Sequence, residues 1–278
     1  MIDLPQLRLI RTSALLADGW TERRIRAAVA NGDLVRVRPG AYCAPATPGE
    51  CRDAGRVQGR VGCVSALRLL GVFVLEREGL HVHVPRTASR LPQSPTGMRI
   101  HRRRLLRTPH PDSLVVEPLD AVLDAVRCQE PRAAIATIDS SLQLGLIDAD
   151  DLDELFAALP RRHRRLRRLL DPRAESGAET LLRLILRSLG CRFDCQVVIH
   201  GVGRVDFLVD GWLIVECDSE AHHGSWDAQR RDRRRDLGAA GRGLVTLRVI
   251  AEDVFWRPDE IREALGGLLR VHRAAMTG

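Results

Sequence analysis

The alternation of apolar and polar residues changes character at two points and divides the chain into three segments. In the first, residues 5–17 (PQLRLIRTSALLA) carry apolar side chains at helical spacing, and Asp18-Gly19 interrupts them. Thr21 is placed to cap a second helix, TERRIRAAVANG, which Asn31-Gly32 ends. VRVRPGAYC then alternates and turns at Pro39-Gly40, the pattern of a short hairpin.

The middle segment, residues 55–170, predicts a helix beginning near Ser65, strands at 80–84 and 98–101, and helices over 117–127, 131–144 and 149–159: an α+β domain. His81 and His83 share one strand face, with no third ligand near them in sequence. The segment ends in RRHRRLRR (161–168), the densest positive charge in the chain. Such a run reads equally as a phosphate-holding surface or a solvated linker helix.

From residue 174 to 278 the order changes again. A helix over 176–189 ends at Gly190. Strands follow at 191–200, 204–209 and 212–218, then a basic helix at 226–240, a strand at 244–250 and a helix at 258–273. This order predicts an α/β domain with a mixed sheet flanked by helices. The 278 residues suit two or three domains at ~100–200 residues each.

Composition alters this picture in three ways. The hydrophobic share, 45%, is enough for real cores, while no run of 18 apolar residues is present, so no transmembrane helix or membrane partner is expected. The N-terminus lacks the apolar core of a signal peptide, and a cytoplasmic protein is the expectation. The seven cysteines contain no CxxC pair, and Cys191 and Cys195 have no second pair to complete a zinc site; reduced, mostly buried thiols are expected.

The net charge is +7, and every one of the 43 basic residues is arginine. Chemistry that needs a catalytic lysine is excluded, while forked guanidinium groups suit phosphate. Helix, turn, helix and hairpin over residues 1–50 is the order of a winged helix-turn-helix. Arg23, Arg24 and Arg26 would then face a major groove, and Arg36 and Arg38 on the wing would meet phosphate. A small helical domain with a solvated basic face gives the same pattern.

The candidate chemistry lies on the paired strands of the third segment. Glu216 and Asp218 alternate onto one face. An odd-length loop centred on Gly211 sets Asp206 opposite Glu216, whereas a two-residue Asp210-Gly211 hairpin would set it opposite Val215. The apolar pattern favours the first register, because Val205, Phe207 and Val209 then share a core face with Leu213, Val215 and Cys217. Asp206, Glu216 and Asp218 would crowd the other face, where their repulsion calls for a hard cation such as Mg²⁺ or Mn²⁺.

Around this cluster, His223 is a candidate acid or base, with His222 competing. Glu179 could reach the metal or serve only the capping box Ser176-x-x-Glu179. Arg248 could neutralise phosphate. The helix DAQRRDRRRD offers Arg230, Arg231, Arg233, Arg234 and Arg235, with Asp232 and Asp236 placed for pairing within it.

These residues carry two resemblances. Residues Leu9 to Tyr42, ending in L-V-R-V-R-P-G-A-Y, resemble the N-terminal winged-helix domain of AbiEi-type antitoxins. S-x-x-E (176–179), R-V-D-F (204–207), V-E-C-D-S-x-x-x-H (215–223), R-x-D-x-x-R-D (230–236) and L-R (247–248) resemble the domain family related to very-short-patch-repair (Vsr) endonucleases, within the PD-(D/E)XK superfamily.

The second resemblance implies a restriction-endonuclease-like fold and Mg²⁺-dependent DNA cleavage. It would place Asp206, Glu216 and Asp218 as metal ligands and His223 as the family's histidine. The first implies a DNA-binding regulator, with a toxin protein as partner and an inactive nuclease-like domain. Two departures stand out: Asp218 replaces the superfamily's E-x-K lysine, as repair enzymes of the Vsr type also lack it, and Ser219 stands where glycine is common.

Overall fold

A computed structural model describes residues 7–76, 78–88, 97–218 and 226–277. The fold is mixed α/β, and the chain divides into two compact units. One takes in residues 1–137 and 144–164; the other takes in 138–143 and 165–278. Among the described residues no helix is long and apolar enough to cross a membrane.

The first unit begins with β1 (Ile10–Arg11), α1 (Thr12–Ala17), α2 (Glu22–Asn31), β2 (Val35–Arg38) and β3 (Ala41–Cys43). The punctuation works as its chemistry requires. Thr21 Oγ1 accepts from the Arg24 amide at 3.2 Å, and Gly32 ends α2 with φ at 81°. Leu15, Ile25, Ala28 and Leu34 form the core of this part, with Trp20 and Tyr42 against it.

The expected helix over 5–17 starts only at Thr12. Ile10 and Arg11 are extended because they pair with Tyr42 and Ala41, completing a sheet of order β1-β3-β2, and the Leu9 amide donates to the Asp112 carbonyl. Residues 1–6 lie outside the described chain.

The unit continues with α3 (Gly49–Arg56), β4 (Arg60–Val61), α4 (Cys63–Leu69), β5 (Leu80–His83), β6 (Met98–His101), α5 (Pro118–Cys128), α6 (Pro131–Gln143), whose residues 138–143 belong to the second unit, and α7 (Ala149–Ala158). A sheet of order β4-β5-β6 packs against α4, which itself packs on α5. The predicted helix near Ser65 starts two residues earlier, at Cys63. Asp148 and Asp151 form a full capping box at the head of α7. The basic run is a 3₁₀ helix, Arg161–Leu169.

In the second unit, α8 (Gly177–Ser188) precedes β7 (Phe193–Ile199), β8 (Gly203–Val209) and β9 (Leu213–Asp218). Then come α9 (Trp226–Ala240), β10 (Val245–Ile250), α10 (Ala251–Trp256) and α11 (Pro258–Thr277). The sheet runs β10-β9-β8-β7; β7, β8 and β9 are antiparallel neighbours and β10 lies parallel to β9. Phe207, Val209, Leu213 and Val215 are buried on one face. Ile214, on the other, packs with Val202 and with Ala239 of α9, so both faces are covered.

A buried ion pair ties this unit together. Arg183 of α8, only 2% exposed, donates through Nη2 to Asp139 Oδ2 at 2.7 Å and through Nη1 to the Leu169 carbonyl at 2.8 Å. Asp139 also accepts from Thr180 Oγ1 at 3.1 Å and from the Asp171 amide at 3.0 Å. Removing one partner strands a buried charge, so Arg183→Met is expected to cost roughly 3–5 kcal/mol of unfolding free energy in urea titrations. The double variant Arg183→Met, Asp139→Asn should recover part of that loss.

Candidate functional site

The register of the second sheet assembles the site. Phe207 pairs with Val215, Leu208 with Ile214 and Val209 with Leu213; the ladder ends there, and the Asp206 side chain takes the Cys217 amide next to Glu216. The turn is three residues, 210–212, with Asp210 at φ 48° and Gly211 at φ 77°, and the Trp212 amide closes it on the Val209 carbonyl at 3.1 Å. The β7–β8 ladder is interrupted at Gln196, between Cys195↔Phe207 and Val197↔Val205, while Arg248 pairs with Glu216 across β9 and β10. Glu216 and Arg248 therefore share one face, where Arg235 of α9 meets Glu216, while Gln196 reaches Glu179 of α8.

Each acid has a defined partner. Asp206 Oδ2 accepts from the Cys217 amide at 2.8 Å. Glu216, 6% exposed, is held on both oxygens: Arg235 Nη2 lies 2.6 Å from Oε1 and Arg248 Nη1 2.6 Å from Oε2. Arg248 also reaches Asp218 Oδ1 at 3.3 Å and Asp236 Oδ1 at 3.1 Å.

Glu179 serves the cap and the cluster at once. Its amide is capped by Ser176 Oγ at 3.1 Å, while its buried carboxylate accepts from the Glu175 amide at 2.8 Å and from Gln196 Nε2 at 2.9 Å. Gln196 takes a strained φ of 55° within β7, and its Oε1 is buried with no hydrogen-bond partner.

Burial is the largest influence on these carboxyl groups and pushes Asp206, Glu216 and Glu179 above the ordinary range. The neighbouring Asp218 raises Asp206 further, while Arg248 and Arg235 pull Glu216 back down. The carboxylates thus sense one another. Their oxygens, however, are not drawn together within 4.8 Å as a set of three; among the described residues only Cys63, His81, His101 and Cys128 of the first unit meet that distance. The middle segment, in which sequence reasoning found no constellation, contains the tighter cluster. The signal was hidden because each ligand comes from a different element, with no paired spacing to mark it.

The arginines divide into engaged and exposed groups. Arg235 donates to the Val202 and Arg204 carbonyls as well as to Glu216. Arg24 lies over the Trp20 ring, 4.1 Å from its centre, and Arg26 stands 3.7 Å from Glu22. Arg38, expected on the wing, is half-buried and donates to the Gly55 carbonyl at 2.6 Å. A register shift between Arg36 and Arg38 turns it inward. Arg23, Arg36, Arg231 and Arg234 are exposed and make no ion pair or hydrogen bond among the described residues; Arg230 is exposed as well. His222, His223 and Ser219 lie outside the described residues.

No model of a known protein family matches the chain, and no curated protein matches it.

A carboxyl group whose pKa is raised by burial stays protonated in the folded chain after the unfolded chain has released its proton. Its stabilising contribution is complete below the unfolded value, ~4, and is lost as the pH rises through the raised value. Asp206→Asn keeps an oxygen for the Cys217 amide and removes the buried charge. Its melting temperature should exceed that of wild type at neutral pH and converge with it near pH ~4. Parallel melting curves across that window would show that Asp206 is not destabilised.

Proposed function

We propose that this chain is a DNA-binding protein whose second unit is a divalent-metal-dependent endonuclease with a restriction-endonuclease-like fold. One observation carries the reading: Asp206 and Glu216, on neighbouring strands, are both desolvated, and Asp218 raises the proton affinity of each. Carboxylates with perturbed titration, gathered at one spot, are characteristic of catalytic sites. Asp206, Glu216 and Asp218 offer the hard oxygen donors that Mg²⁺ or Mn²⁺ prefers.

Such an ion supplies an activated water and neutralises charge building on the phosphate. His223 would move the proton, and Glu179, which holds Gln196 Nε2, would reach toward the ion. The order of the five sequence blocks that resemble Vsr-type endonucleases agrees with this assignment.

In the first unit, α1, α2 and the β2–β3 hairpin follow the order of a winged helix-turn-helix, and Arg23 and Arg36 are left exposed for phosphate. Holding DNA is the role proposed for this part, together with Arg231 and Arg234 of α9.

A second reading has its own observation in favour. Arg235 and Arg248 already occupy both oxygens of Glu216, so internal guanidinium groups do what a metal ion would otherwise do. On that reading the chain is an antitoxin-like DNA-binding regulator, paired with a toxin protein, whose nuclease-like domain is inactive.

Nicking of supercoiled plasmid with Mg²⁺ or Mn²⁺ separates the two. The endonuclease reading expects ion-dependent nicking that drops at least ~100-fold in Asp206→Ala, since outer-shell partners of a metal alone are worth ~10–100-fold. Nicking that survives the substitution rules out this site. Salt-sensitive DNA binding without nicking supports the regulator.

Binding has a separate expectation under both readings. Arg23→Ala and Arg36→Ala should each weaken binding on all sequences and flatten the log K against log salt slope by ~0.9 for each phosphate no longer neutralised. An unchanged slope in both variants removes this part of the chain from the DNA interface.

A further inference from the structure

Four side chains able to ligate a metal converge inside the first unit, and the inference drawn from them is independent of the function proposed for the carboxylates of the second. Cys63 opens α4, His81 lies on β5, His101 on β6, and Cys128 ends α5. One ligand atom from each lies within 4.8 Å of all the others. His101 Nε2 stands 3.1 Å from His81 Nδ1, with ring centres 5.1 Å apart. Two imidazoles on one tetrahedral zinc, with Zn–N of ~2.0–2.1 Å, would hold their nitrogens ~3.3 Å apart, and two thiolates at ~2.3 Å would lie ~3.8 Å apart. The observed separations accommodate both.

The surrounding structure aims these groups at one point. β5 and β6 pair in parallel, with His81 opposite Arg99 and His83 opposite His101, so His81 and His101 share a face diagonally. His83 turns away from the set and donates through Nε2 to the Arg103 carbonyl at 2.9 Å. Cys63, fully buried, takes a left-handed φ of 52°, which a residue with a Cβ adopts only where its surroundings impose it. Ser65 Oγ accepts from the His81 amide at 3.0 Å and so fixes the first turn of α4 against β5.

Asp124 lies one turn before Cys128 on α5 and lines the same cavity as His101. It is 3% exposed, and its Oδ2 has no hydrogen-bond partner. A carboxylate beside a ligating histidine is the partner that orients the imidazole in metal sites. A cavity of ≈ 350 Å³ lined by Glu76, Glu78, His81 and Cys128 adjoins the set and gives a cation a route of entry.

From this geometry we infer that Cys63, His81, His101 and Cys128 bind one zinc ion that cross-links α4, α5, β5 and β6. Two sulfur and two nitrogen donors in tetrahedral reach select zinc over Mg²⁺ or Ca²⁺. With all four positions filled by protein, the ion's role is structural.

The test uses the full chain kept under reductant. Elemental analysis should find one zinc per chain, removal by a chelator should lower the melting temperature, and added zinc should restore it. Cobalt(II) added to the metal-free chain should produce the strong visible bands of tetrahedral, thiolate-ligated cobalt, displaced by zinc. Cys128→Ser and His101→Gln should each weaken zinc binding at least ~10-fold.

Should those variants fail to fold, alkylation of wild type decides: zinc should slow modification of Cys63 and Cys128 relative to the metal-free chain and leave Cys191 and Cys195 unchanged. Absence of both stoichiometric zinc and a cobalt spectrum overturns the site. So do full zinc content in the folded variants and alkylation indifferent to zinc.

Discussion

Three residues between β8 and β9 hold the second unit's chemistry in place. Asp210 and Gly211 both take positive φ, and the odd count of 210–212 sets the register that pairs Phe207 with Val215. One residue fewer would shift every partner on β8 by one and break the core pairing of Phe207 with Val215. The turn is anchored from outside as well. The Asp210 amide donates to the Arg192 carbonyl at 2.8 Å, Asp210 Oδ1 accepts from the Arg192 amide at 3.2 Å, and Trp212 stacks on His272 with ring centres 3.9 Å apart. Aspartate tolerates the left-handed region better than most side chains, and glycine enters it at no steric cost, so this pair suits the turn.

Given that register, charge becomes the governing problem. A group of acids half-way into a protein must be neutralised by protons, by cations of the chain or by a metal ion. The structure uses the second route for Glu216, through Arg235 and Arg248, and leaves Asp206 and Glu179 with hydrogen bonds but no full counter-charge. Asp206 and Glu179 are therefore where a divalent ion would gain most, and Arg248, shared among Glu216, Asp218 and Asp236, is the side chain such an ion would have to displace.

How much of this could be read from the sequence depended on how local each signal was. The strand pair 204–209 and 212–218 was legible as strands from alternation and a glycine-centred turn, but Val205, expected on the face of Phe207, clusters with Ile214 and Ala239 instead. Thr21, Gly32 and Ser176 marked helix ends because capping acts within one turn. β1 was not legible: its residues have helical spacing, and only pairing with β3, thirty residues on, draws them out straight. The six-residue α10 is too short to show a period. The four cysteine and histidine ligands stayed hidden because each comes from a separate element. The inward turn of Arg38 depended on an irregularity of the ladder that no composition signals.

The arginine-only composition bears on both units in a way that charge counting misses. A guanidinium presents several donors in a rigid plane and can satisfy an acid and a carbonyl at once. Arg183 does this for Asp139 and Leu169, Arg103 for Asp120 and Asp124, and Arg235 for Glu216 and two carbonyls. A lysine at any of these positions would offer a point charge on a flexible stem and leave buried acceptors unmet. The net positive charge is thus partly committed to the interior, and the share left for an anionic partner is smaller than the sequence total. It includes Arg23 and Arg36, exposed arginines of the 161–169 run such as Arg164 and Arg165, and Arg231 and Arg234 along α9.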